Sequence, residues 1–236
     1  MDQLFEAIYN NNVDRFVSLI ESNVLSQYES PWTMLYEDST LVHETITWRT
    51  ARMLDYVLSK TNQVNHFNLL HETPLHVAIH VNNLYAVQRL LEMGVDTTLE
   101  DEHGYTAVHI AAEKNDIHLL MMLESFQVPL DRPNRNDSLG PFTNACKVGK
   151  IETASYILSR CGLEQVKQNN PFAIHWAAYN DQLETVEWLL TLGYEPDTPS
   201  LYGNTAIHDC AEWGRLQLVE TMLPRVRQVS IQNRRS

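Results

Sequence analysis

Ten histidines and three cysteines are the residues of this chain that could carry chemistry, as metal ligands, acid–base groups or nucleophiles. Cys146, Cys161 and Cys210 form no Cys-x-x-Cys pair, and the histidines are read as presenting no pair of ligands on one helix face. The sequence holds no GxGxxG, no phosphate-cradling GK[ST] loop and no GxSxG elbow. With eight glycines, most of them at turn positions, a nucleotide loop is hard to place. The chain is therefore expected not to be an enzyme, and to need no cofactor and no metal. An odd, sparse set of cysteines also argues against a disulfide framework and for a reducing compartment.

Half of the histidines fall in a recurring phrase. It reads Thr73-Pro74-Leu75-His76-Val77-Ala78, then Thr106-Ala107-Val108-His109-Ile110-Ala111, Phe172-Ala173-Ile174-His175-Trp176-Ala177 and Thr205-Ala206-Ile207-His208-Asp209-Cys210. A weaker copy ends at His43, and another, Gly140 to Ala145, carries Thr143 in the histidine slot. The anchors 43, 76, 109, 143, 175 and 208 are 33, 33, 34, 32 and 33 residues apart. A period of this kind marks a stack of repeated units. In that setting the five slot histidines (His43, His76, His109, His175, His208) bond the backbone of the adjoining turn, a structural role worth about 1 kcal/mol each.

The elements follow from columns counted from each anchor. Offsets +11, +14 and +15 gather Leu54, Val57 and Leu58, then Val87, Leu90 and Leu91, and so on to Val219, Met222 and Leu223. That spacing lays apolar side chains along one face of a helix. Alanines 78, 111, 145 and 177 let a first, shorter helix approach its neighbour closely. Asn82, Asn115, Gly149, Asp181 and Gly214 at +6 tolerate the left-handed conformation that turns the chain between two helices. Gly94 and Gly193 at +18 stop the second helix; Gln127 in that slot means a turn that is either strained or built differently.

The phrase Thr-Pro-Leu-His-x-Ala at this period resembles the signature of the ankyrin-repeat family. The resemblance covers residues 1–224 and implies an all-α solenoid of about seven helix-turn-helix units with hairpin-like loops. Approximate bounds are 1–24, 39–68, 72–101, 105–134, 139–166, 171–199 and 204–224, the outer two acting as caps. Leu4-Phe5-Glu6-Ala7 is a degenerate first phrase, with Phe5 in the histidine slot. About five extra residues before the second unit are assigned to a loop around Tyr28–Trp32. Pro224 stops the last helix, and residues 225–236 form a basic tail with Arg225, Arg227, Arg234 and Arg235.

The formal net charge is −13, and the chain without its tail holds 13 basic against 30 acidic residues. So acidic a body repels phosphate, which excludes nucleic acid as a partner and favours a basic one. No apolar run approaches the ~20 residues of a membrane span, and the N-terminus does not read as a signal peptide. The expectation is an intracellular protein, cytoplasmic or nuclear, monomeric by itself.

What remains is a binding surface. The resemblance implies a concave face made of the hairpin turns and the exposed side of each first helix, where a partner segment with basic or apolar residues would be captured. Candidate contacts are Glu102, His103 and Tyr105, Glu113, Leu201 and Tyr202 in the turns and first helices, with Asp209 and Glu212. The centre is the aromatic group Trp176, Tyr179 and Trp213, residue types enriched at interface hot spots. Trp176 alone could be packed between units. A rival is the +13 column, Tyr56, Tyr156 and Trp188, on the opposite side. The function implied is that of an adaptor or inhibitor; the alternative is the regulatory ankyrin domain of a larger channel, kinase or acyltransferase.

Overall fold

The structure, a computed structural model, describes residues 2–21, 35–36, 39–135, 139–200 and 203–226. The loop expected around Tyr28–Trp32, the turn residues Leu201 and Tyr202, and Arg227, Arg234 and Arg235 lie outside the described residues. The chain forms two compact bodies, residues 1–110 and 111–236.

The N-terminal body pairs α1 (Asp2–Tyr9) with α2 (Val13–Glu21), α3 (Leu41–Thr47) with α4 (Ala51–Lys60), and α5 (Pro74–His80) with α6 (Leu84–Glu92). First helices pack on first helices, α1 on α3 on α5, and second on second, α2 on α4 on α6. A two-stranded antiparallel hairpin, β1 (Leu35–Tyr36) and β2 (Ser39–Thr40), precedes α3. Helix α7 (Ala107–Glu113) contains the division between the bodies.

The C-terminal body continues with α8 (Ile117–Ser125), α9 (Pro141–Lys147), α10 (Ile151–Cys161), α11 (Leu163–Asn169), α12 (Ala173–Tyr179), α13 (Leu183–Thr191), α14 (Ala206–Glu212) and α15 (Leu216–Met222). Here too first helices stack, α9 on α12 on α14, and α13 packs on α15. The +11 and +14 columns form the core of both bodies: Leu54, Val57, Val87, Leu90, Leu120, Leu123, Val186 and Leu189 are fully buried. Such stacking is obligatory, because no helix pair can bury its apolar face alone.

The turns use the left-handed conformations that the columns imply. Asn82, Asn115 and Asp181 have φ of 52°, 59° and 60°, and Asn11 and Arg49, at the same offset in the first two pairs, have 51° and 55°. Gln127 keeps φ 62° without being glycine, so of the two ways left open for that turn, the strained one is realised.

Two of the slot histidines, His76 and His208, cap their helices. At α5 the Thr73 hydroxyl oxygen receives the His76 backbone N–H, and His76 Nδ1 receives the Thr73 backbone N–H at 3.0 Å. The same reciprocal box closes the start of α14 through Thr205 and His208. His43 Nε2 lies 3.1 Å from the Glu72 carbonyl and His175 Nε2 2.8 Å from the Thr198 carbonyl, tying one repeat to the next turn. Burial holds the His43 imidazole down to about 4, so it is neutral at physiological pH.

Candidate partner-binding surface

The last residues of α12 and α14 and the turn after α14 place the aromatic group in the C-terminal body. Tyr179 ends α12 and Trp213 caps α14; they are 45% and 60% exposed. Their rings meet edge to face, 6.1 Å apart and 90° inclined. Trp176, one turn before Tyr179, is half-buried and meets it edge to face at 6.3 Å. It is thus neither buried between helix pairs nor free.

Two cations flank this strip. Lys147, from the end of α9, places its Nζ 5.9 Å over the Trp176 ring. Arg215 lies with its guanidinium 5.7 Å over Tyr179, donates to the Ala178 carbonyl, and stands 4.0 Å from Asp181. Cation–π contacts and edge-to-face stacking hold the three rings in fixed orientations.

The acidic candidates divide. Glu212 is exposed beside Trp213, and Glu113 is half-buried at the end of α7. Asp209 turns inward: its carboxylate accepts from Asn204 at 3.1 Å and lies 3.7 Å from His175 Nδ1. Burial pushes its carboxyl up, but His175 and Asn204 more than offset this and leave it below the ordinary value. Asp209 therefore supports the strip from beneath. In the N-terminal body, Glu102 and His103 are exposed at a hairpin tip, whereas Tyr105 stacks on His109 at 5.8 Å, nearly parallel. Among the rival column, Tyr56, Tyr156 and Trp188 are all half-buried; the Tyr156 hydroxyl donates to Glu124 at 2.6 Å and Trp188 packs on Phe142.

His76 and His80 do stand at the two-ligand helical spacing, contrary to the reading of the sequence, but they do not converge: His76 caps α5 and His80 Nδ1 pairs with Glu72 at 2.6 Å. Among the described residues no cluster of three metal-ligating side chains forms. The three cysteines are unpaired, and burial raises every one of their thiols above the ordinary value, to about 11 at Cys161 and Cys210, the reverse of an activated nucleophile.

Two surfaces were not among the candidate contacts. Counting +4 from Phe5 gives Tyr9, which is 61% exposed and meets the exposed Trp48 edge to face at 4.9 Å. Leu69 and Leu70 are exposed at a turn closed by Asn68 and Glu72 backbone bonding. They occupy the tip that Glu102 and His103 take one period later.

Known proteins share this architecture. Ankyrin-repeat models match residues 142–233, described as three copies, and residues 58–111, described as many copies. The putative palmitoyltransferase ZDHHC13 of Danio rerio is 27% identical over 177 residues, which span 72% of this chain and 27% of that protein. The B-cell lymphoma 3 protein homolog of Mus musculus is 28% identical over 178 residues, 73% of this chain and 40% of that protein. The human ASB11 ankyrin repeat domain superposes with a TM-score of 0.72 at 19% identity, covering 96% of this chain and 99% of that domain. The chain thus spans well under half the length of the curated relatives it matches. Among the described residues no helix is long and apolar enough to cross a membrane.

Proposed function

The chain belongs to the ankyrin-repeat family, and from that premise we propose that it is a protein-binding module whose main contact is the Trp176–Tyr179–Trp213 strip. The observation that carries this reading is the exposure of Tyr179 and Trp213 on rings that are already oriented. Aromatic rings fixed before binding lose little rotamer entropy when a partner covers them. The partner is a protein with an apolar segment for the strip and basic residues for the acidic surface around it, and the chain acts as an adaptor or inhibitor by holding that segment. Nucleic acid and membrane are not partners in this reading, the chain is monomeric by itself, and unpaired cysteines fit a cytoplasmic or nuclear setting.

The test is retention from extract of the source cell by the native chain and by the Tyr179→Ala/Trp213→Ala variant. A partner held by the native chain should be lost, with affinity reduced by about 2 kcal/mol or more, roughly 30-fold. A partner held equally by both would remove the strip from the contact.

A second reading, the regulatory ankyrin segment of a larger channel, kinase or acyltransferase, is supported by the small share of its relatives that the chain spans. The size of the native protein on a denaturing gel, detected by antibody to this chain, separates the two: a band far above 27.2 kDa favours the larger protein.

A further inference from the structure

The Tyr9–Trp48 pair of the N-terminal body repeats the Tyr179–Trp213 pair of the C-terminal body in both register and geometry. Each joins the +4 tyrosine of one phrase to the +5 tryptophan of the next. Each is edge to face, at 84° in one and 90° in the other. The two differ at the position seven residues past the second anchor. There the C-terminal body has Arg215, whose guanidinium covers the Tyr179 ring. The N-terminal body has Thr50, buried, with its hydroxyl donating to the Thr45 carbonyl. Arg49 beside it donates instead to the backbone carbonyls of Val81 and Asn82. Among the described residues a cation covers the tyrosine of one pair and none covers that of the other.

The corner also carries an acid. The Trp48 indole N–H donates to Glu44 Oε2 at 3.2 Å, which anchors a carboxylate at the edge of the aromatic pair. Two exposed electron-rich rings beside a fixed carboxylate form a receptor for a planar cation. A chain of net charge −13 draws such cations toward it.

We infer that the corner made by Tyr9, Trp48 and Glu44 takes the guanidinium of an arginine from a basic segment of a protein partner. The site lies in the other body from the strip and does not depend on it.

The experiment follows the Trp48 indole N–H resonance, identified by its loss in Trp48→Phe, during titration of the full chain. The probe is a blocked peptide of alternating alanine and arginine, compared with the same peptide carrying citrulline, which keeps the shape and lacks the charge. The expected result is a saturating shift with the arginine peptide and none with citrulline. Tyr9→Ala should weaken the response about fivefold, Tyr9→Phe should preserve it, and Glu44→Gln should reduce it. Tyr179→Ala/Trp213→Ala should leave it unchanged, so loss of the strip and loss of this corner are told apart. No shift, an equal shift with citrulline, or an undiminished shift in a Tyr9→Ala chain whose urea midpoint matches the native one would overturn the assignment.

Discussion

Asp131 shows how a single residue departs from the repeat that surrounds it. The fifth phrase has Thr143 where five of the others have histidine, and the structure fills the gap with a buried relay. The Thr143 hydroxyl donates to Asn170 Oδ1 at 2.8 Å, and Asn170 Nδ2 donates to both Asp131 carboxylate oxygens at 3.0 and 2.8 Å. Burial pushes the Asp131 carboxyl up to about 7; the Asn170, Phe142 backbone and Asn169 donors hold it down only in part. Its folded value thus exceeds its unfolded value, so its stabilising contribution is complete below about pH 4 and disappears as pH rises through 7. His43 has the opposite sign, its contribution being lost as pH falls from 6.5 toward 4. Because His43 is common to both chains, the stability of the native protein minus that of Asp131→Asn isolates the aspartate. Urea unfolding between pH 5.5 and 8 should show this difference falling, by up to about 1.4 kcal/mol per pH unit, and levelling above pH 7. A difference constant across that range contradicts the assignment. The histidine slots were legible because their spacing repeats. Asp131 and Asn170 were not, because a partner 39 residues away leaves no local pattern.

At the scale of elements, the helix pairs were readable from the columns, and their irregular spacings now have causes. Backbone bonds from Asn68 to Glu72, Asp101 to Tyr105 and Ser200 to Asn204 close equivalent hairpin turns at 2.9, 2.9 and 2.7 Å. The corresponding bond runs from Asn134 to Leu139, one residue longer, which accounts for the spacing of 34 between the anchors at 109 and 143. At the next turn there is no hairpin: α11 stands in its place, and the following spacing shortens to 32. The sequence reading missed α11 because seven residues with a single buried side chain, Val166, produce no amphipathic signal. Polar contacts hold it instead: Lys167 donates to the Gly193 carbonyl at 2.8 Å, Asn169 to the Asp131 carbonyl at 2.9 Å, and Asn170 joins the relay. Asn170→Ala should therefore cost about 3 kcal/mol or more, measured by urea unfolding, since it removes the donor to both oxygens of a buried carboxyl group and the acceptor of the Thr143 hydroxyl. A loss under about 1 kcal/mol would mean that α11 is held by something else.

For the molecule as a whole, repetition explains why fold was easier to read than site. A stack depends on the residues that recur, and those define the core columns. A binding surface depends on the residues that do not recur, and a single sequence ranks them only by chemical type. Tyr179 and Trp213 were identified by residue type on the face that the resemblance implies; Trp48, at the slot of Trp213 in an earlier phrase, lacked its visible partner until Tyr9 was brought against it. The account holds that binding occurs on the exposed ends of the first helices and not on the side of the second helices. The most direct measurement is photo-crosslinking in source extract with benzoylphenylalanine placed at Trp213 or, in a separate preparation, at Tyr156. An adduct to a discrete partner from Trp213 and none from Tyr156 is the result predicted. An adduct from Tyr156 alone would contradict the claim and place the contact on the second helices.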